Sequence, residues 1–229
     1  MKKTILLLSI SIVLIAFVTS RGERDAAFSA DKYGPSGNEN NSKGFKKIKI
    51  GSQTWILSNL NVFTFKNGDS IPEAQTAEAW EKAGKEGKPA WCYYDNDPAN
   101  GEKTGKLYNW FAVTDPRGLA PKGWHVPSDK DWTVLEENLG EFGGTKMKST
   151  TGWKNNGNGT NASGFNGMPG GARNNRGSFY SLGSFGYWWT ATELYSSIAW
   201  TRYLSTNYGN VYRNFDQKGF GFSVRLIKN

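Results

Sequence analysis

The chain holds one cysteine and one histidine, Cys92 and His125, in 229 residues, and that scarcity limits the chemistry its side chains can support. A thiol nucleophile needs a base beside it, a structural zinc needs several Cys or His, and an internal disulfide needs a second Cys. Zinc sites and thiol catalysis are therefore not expected, and Cys92 is either buried or open to an intermolecular bond. His125, between Trp124 and Val126 and just ahead of a helix, reads as a packed, hydrogen-bonded side chain in preference to a general base. Asp95, Asn96, Asp97, Asn100 and Glu102 offer the oxygens calcium prefers. The glycine spacing misses the calcium-loop pattern by one residue, so a turn and N-cap role is preferred, with Asp95 and Asp97 the weak metal candidates. The Asn-rich stretch 155–161 lacks a carboxylate, and no carboxylate spacing marks a hydrolase pair.

A more informative set is Trp188, Trp189, Trp200, Tyr203, Tyr208 and Tyr212. Neighbours on a strand point to opposite faces, so Trp188 and Trp189 cannot share one core layer, and Trp200 and Tyr203 divide likewise. Some aromatic area is expected to stay open, where flat rings can stack on sugars or anchor a protein. The competing reading covers these rings with a long loop. Arg173 and Arg202 are the expected polar companions, with ordinary ion pairing to Glu193 as the alternative.

These residues need a scaffold, and 28 Gly, 10 Trp, 10 Tyr and 13 Phe argue for short strands and long turns against a helical bundle. Met1-Lys2-Lys3, the apolar run Ile5 to Val18 and Val18-Thr19-Ser20 read as a cleaved secretory leader, residues 1–20. As a helix that run spans about 21 Å, short of a roughly 30 Å hydrocarbon core, so the mature chain is not expected to span a membrane. No cysteine follows the run to carry acyl chains, and a lipid anchor is unsupported. Residues 21–44 are polar and read as a disordered tether, leaving residues 45–229 as the domain. The formal charge is +8, two of it from Lys2 and Lys3. The other basic residues are scattered except around Lys43 to Lys49; they suit a solvated surface, with no nucleic-acid signature.

The domain opens with a hairpin: Ile48 and Ile50 alternate with lysines, Gly51-Ser52 is a two-residue turn, and the chain continues to Ser58. Thr76 to Lys85 reads as a short helix and Ala90 to Tyr94 as a strand, whereas periodicity leaves Leu107 to Val113 open between helix and strand. The clearest helix follows Ser128, with Asp129 and Asp131 in its first turn, Trp132, Leu135 and Leu139 on one face, and Gly140 as its stop. Residues 140–187 hold 13 of the 28 Gly and read as a long irregular excursion. Strands are expected again at Tyr187 to Glu193, Ile198 to Ser205, Asn210 to Phe215 and Phe220 to Ile227, with a turn at Asn207-Tyr208-Gly209.

Six ordered motifs carry a family resemblance: IGSQTWILSNLNV from Ile50, GKLYNWFAV from Gly105, LAPKGWHVPSDKDWTVL from Leu119, SGFNGMPGGARN from Ser163, YWWTATE from Tyr187 and GFSVRLIKN from Gly221. Together they resemble the Fibrobacter succinogenes major paralogous domain (FISUMP) family. That resemblance implies an exported bacterial envelope domain, often on lipoproteins, of no generally established activity. Many relatives carry a second cysteine, a partner for Cys92, where this chain has Leu226. More distantly, GWHVPSDKDW with the closing GFSVRLIK is similar to formylglycine-generating-enzyme-like domains, elaborations of the C-type lectin-like fold. The implied class is α+β, with small antiparallel sheets, one or two flanking helices and a long irregular loop region. In that fold the first and last strands pair. The copper-binding cysteine pair of those enzymes is missing, so no enzyme activity or cofactor is expected beyond the open case of calcium. The expectation is a secreted or envelope module, in the periplasm or on the outer surface, that binds glycan or protein. Its alternative is a structural or adhesion component that self-assembles or docks a partner.

Overall fold

The structure is a computed structural model that describes residues 44–229; the expected leader and all but the last residue of the expected tether lie outside them. Strands β1 (Lys47–Ile50) and β2 (Gln53–Ile56) pair antiparallel with Ile50 opposite Gln53. Gly51 supplies the left-handed backbone, φ 58°, that such a tight turn needs. Helix α1 (Ala77–Lys85) starts where Thr76 Oγ1 accepts the Ala79 N–H at 3.1 Å. Strand β3 (Trp91–Cys92) is shorter than the expected Ala90–Tyr94, because the chain turns into a 3₁₀ turn at Tyr94–Asn96 and then α2 (Pro98–Thr104). The segment that periodicity left open is both things in turn: β4 (Leu107–Tyr108), then α3 (Trp110–Val113), with Asn109 capping the helix through the Ala112 N–H.

After β5 (Trp124–His125) comes α4 (Asp129–Leu139), whose capping box is reciprocal. Ser128 Oγ accepts the Asp131 N–H at 3.2 Å and Asp131 Oδ2 accepts the Ser128 N–H at 2.8 Å. Such a cap stabilises a helix by about 1 kcal/mol. The buried face of α4 is Trp132, Leu135 and Leu139.

Two larger sheets form the body. The four-stranded one runs β1-β2-β11-β5, with β11 (Ile227–Lys228) inserted so that Ile227 lies opposite Trp55 on one side and His125 on the other. The terminal strand thus closes the domain against the opening hairpin. The five-stranded sheet runs β10-β9-β8-β6-β7, built from β6 (Gly170–Arg173), β7 (Phe179–Leu182), β8 (Phe185–Tyr195), β9 (Ile198–Ser205) and β10 (Tyr212–Gln217). Helices and small sheets together make a mixed α+β fold.

Two expectations need correction. Phe220 to Ile227 is not a continuous strand: Gly221, Phe222 and Ser223 bridge in turn to Arg173, Tyr108 and Trp188, on three different elements, before β11 begins. A segment that changes partner at each residue cannot build one ladder, and it forms a buried seam instead, Phe222 to Ile227 all enclosed. The excursion at 140–187 also holds regular structure, namely α5 (Gly143–Met147), β6 and β7, leaving 148–169 irregular. That irregular part is tied down by Lys148, whose ammonium donates to the carbonyls of Ser205 and Tyr208 at 3.0 and 3.1 Å. A second tie is Arg225, fully buried, which donates to Asn59 Oδ1 and to the carbonyls of Ile56, Phe165 and Asn166.

Candidate functional site

Alternation along β8 sends Trp188 and Trp189 to opposite faces, as the sequence requires, but both faces are covered. Trp188 packs against Trp132 and Phe165, ring centroids 6.2 and 5.8 Å apart, and donates its indole N–H to Asn59 Oδ1 at 2.9 Å. Trp189 packs against Phe222 at 4.7 Å and donates to the Tyr108 carbonyl at 2.9 Å. Both are 0% exposed, so neither offers a ring to a ligand.

The two arginines are also internal. Arg173 donates to the carbonyls of Ala74, Gln75 and Gly177 and lies over the rings of Trp80 and Phe179. Arg202 pairs with Asp129 at 2.6 Å and Glu136 at 2.5 Å on α4, not with Glu193, whose carboxylate is taken by Lys218 at 2.8 Å. Each is 1% exposed and serves the fold. Trp200 lies on the same face of the sheet as Arg202, beneath the Arg213 guanidinium, which stands 3.3 Å from the ring centroid, with Phe215 edge-on at 6.0 Å.

The other face gathers tyrosines. Register places Tyr187 opposite Tyr203 and Tyr203 opposite Tyr212 across β8, β9 and β10. Tyr203 and Tyr212 stack at 4.9 Å with planes 9° apart, and the exposed Tyr208 meets Tyr212 edge-on at 5.8 Å. At the other end Tyr187 lies 5.9 Å from Tyr203 and 6.0 Å from Tyr180 of β7. Two glycines permit that last approach: β6 meets β8 at Gly171 and Gly186, where a Cβ would lie 2.7 Å from the Tyr180 carbonyl oxygen or 2.5 Å from that of Met168. The result is a half-buried row of five tyrosines, Tyr180, Tyr187, Tyr203, Tyr212 and Tyr208. Of the expected site residues it unites Tyr203, Tyr208 and Tyr212 and leaves out Trp188, Trp189, Trp200, Arg173 and Arg202.

The Asp216 carboxylate belongs to this face. Tyr212, Asn214 and Asp216 alternate on β10, and Asp216 accepts a 3.4 Å hydrogen bond from the Thr201 hydroxyl. Burial pushes its carboxyl up from 3.8 to about 6, opposed by Thr201. Its charge in turn helps to raise the hydroxyls of Tyr180 and Tyr187, for which burial is the larger cause. No cation pairs with Asp216 among the described residues, although Arg213 and Lys218 lie close by on the chain; these are committed to Asp129 and Glu193. Sequence reasoning passed over Tyr180, Tyr187 and Asp216. The alternation of β10 put Asp216 on the face of Tyr212, but only the register connects that face to Tyr187.

The other candidates are occupied with structure. Asp97 Oδ1 caps α2 through the Ala99 N–H at 2.9 Å, and Asp95 holds a left-handed turn at φ 53°. No group of three His, Cys, Asp or Glu is placed to hold a metal among the described residues. His125 Nδ1 meets Asn229 Oδ1 at 2.7 Å. Cys92 is buried, and burial pushes its thiol up to about 12; it packs with Trp80, Ala90 and Tyr94, in a different core cluster from Leu226. An open cleft of about 410 Å³ between α1 and the end of β10 is lined by Glu81, Lys85, Phe111 and Lys218, but its charges already pair, Glu81 with Lys85 at 2.8 Å and Lys218 with Glu193. No helix among the described residues is long and apolar enough to cross a membrane.

No curated protein and no solved structure matches the chain. Residues 48–228, from the first strand to the last, match the family described as the Fibrobacter succinogenes major domain. The six motifs all fall within or at the edges of this span, and the chain belongs to the Fibrobacter succinogenes major domain family.

Proposed function

We propose that this is an exported, non-catalytic binding module that engages glycan across the tyrosine row of β7 to β10. The observation that carries the reading is the row itself: five adjacent tyrosines, each partly or largely open, with the carboxylate of Asp216 further along the same face of β10 as Tyr212. Tyrosine faces stack on the apolar faces of sugar rings while their hydroxyls, Asn214 and Asp216 hydrogen-bond the rim. The pairing of β11 with β2 supports the C-type lectin-like architecture as the scaffold. A non-catalytic role is supported by Cys92, whose buried neutral thiol is no nucleophile, and by His125, which lies away from the row against Asn229. The test is a glycan array followed by polysaccharide pull-down with Tyr203→Ala and Tyr212→Ala. Both side chains lie outside the core clusters, so the variants are expected to fold and to lose binding; retained binding refutes the site.

A second reading, self-assembly, rests on Phe215, 49% exposed beside Trp200 on the opposite face. Concentration-dependent oligomers abolished by Phe215→Ser, without any glycan binding, would favour it.

A further inference from the structure

We propose that the four-stranded sheet docks on an anionic lipid surface, with Lys47, Lys49 and Lys228 against the phosphate groups. These lysines stand on a different sheet from the tyrosine row, and their role does not depend on the glycan reading.

The domain opens on a basic run, Lys43 to Lys49, and the fold brings Lys228 to Lys47 and Lys49 from the far end of the chain. Lys47 lies opposite Ile56 and Lys49 opposite Thr54. Ile227 lies opposite Trp55, so the next residue, Lys228, falls beside Thr54 on the face of Lys47 and Lys49. All three lysines are exposed, with the half-buried Thr54 between Lys49 and Lys228. Ile56 and Trp124, on the same face, are buried, and Phe45 lies edge-on to Trp124 at 5.8 Å.

No carboxylate pairs with any of the three among the described residues. Residues 44–68, 116–128 and 217–229 supply all four strands and contain no Asp or Glu. Asp131 comes to 3.7 Å from His125, but His125 shares the row of Trp55 and Ile227 and so belongs to the opposite face. A terminal carboxylate at Asn229 offsets at most one of the three charges. Lysines on an edge strand can serve to keep other strands away, and β1 is an edge. Lys228 has no such duty, because β11 has a neighbour on either side.

Strand geometry puts Lys47 and Lys49 about 7 Å apart, and Lys228 about 10 Å to the side of Lys49. A linear polyanion follows one line and would miss one of the three. A plane of phosphate head groups meets them all, and each lysine beside such a surface is drawn to it.

The experiment is co-sedimentation of the full chain with vesicles of phosphatidylcholine alone and of phosphatidylcholine with about one-third phosphatidylglycerol. The apolar run Ile5 to Val18 acts on both vesicles alike, so the ratio of the two affinities is read. The joint variant Lys47→Gln, Lys49→Gln, Lys228→Gln should lower that ratio about fivefold for each lysine, about a hundredfold in all, and the three Lys→Arg changes should keep it. Removing three other exposed lysines, by Lys66→Gln, Lys103→Gln and Lys154→Gln, changes the net charge equally and should leave the ratio within about twofold. Equal wild-type affinity for the two vesicles, or a loss just as large in this second set, overturns the docking face. Binding to alginate beads that the first set abolishes, with the vesicle ratio unchanged, assigns the lysines to an acidic polysaccharide and overturns the lipid.

Discussion

Asp216→Asn tests the electrostatics of the tyrosine face without any ligand. In the folded chain burial holds this carboxyl near 6 against an ordinary 3.8. Below about pH 4 the group is neutral whether folded or not, and it costs nothing. Between about pH 4 and 6 the unfolded chain has released its proton and the folded one has not, so stability falls as pH rises through this window and then levels off. At about 1.4 kcal/mol for each tenfold change in proton affinity, the full penalty is about 3 kcal/mol, and solvent contact at the open side lowers the expected value to about 1–3 kcal/mol. Asparagine has nearly the same shape and no charge. The charge of Asp216 acts on Tyr180 and Tyr187, whose hydroxyls burial keeps neutral throughout, while Glu193, opposite the same Ala199, stays paired with Lys218. Carboxylates held low, such as Asp129 and Asp115, act in the opposite sense below pH 4 and do so equally in both proteins. Urea unfolding at pH 4, 5, 6, 7 and 8 should therefore give curves that differ least at pH 4 and separate as pH rises, with the variant more stable at pH 8. A variant no more stable at pH 8, or a gap that does not change with pH, would refute the picture of an unpaired, partly desolvated carboxylate.

Arg225→Ala should cost about 3–5 kcal/mol in the same assay, because Asn59 Oδ1 and three carbonyls lose a buried donor together. Cys92 should resist alkylation in the native protein at pH 8 and react within the dead time once urea unfolds it, as a buried thiol pushed up to about 12 requires; prompt labelling of the native chain would show the site to be open.

Local signals in the sequence were legible where the chain interacts with itself over a few residues. The Gly51-Ser52 turn, the short helix ending at Lys85, the Ser128 cap and the span of β9 all depend on neighbours in sequence, and they formed as expected. Alternation also announced that Trp188 and Trp189 diverge. It could not announce that each would be met by a wall, since Trp132 and Phe165 lie on one side and Tyr108 and Phe222 on the other, all distant in the chain. The same limit hid Asp216, an ordinary acidic residue near a strand end until the register of β10 on β9 sets it opposite Ala199, on the face that carries Tyr203 and Tyr212. Arg173 and Arg202 misled for a related reason. An arginine in a strand reads as rim chemistry, but its long fork can serve backbone carbonyls or helix carboxylates from within.

The seam at residues 221–227 has a consequence for how the protein comes into being. Every strand it joins precedes it in the chain: β2, β4, β5, β6 and β8. During synthesis these strands can form hairpins and a helix-backed sheet, tied already by Trp188 to Asn59, Trp189 to Tyr108 and Arg202 to α4, but the seam's own bridges wait for this late peptide. Its pairings with the distant β2 and β4 therefore come last, after nearly the whole chain has been made. Removing that peptide would strip five strands of their shared partner and bare the core that Phe222, Val224 and Leu226 fill.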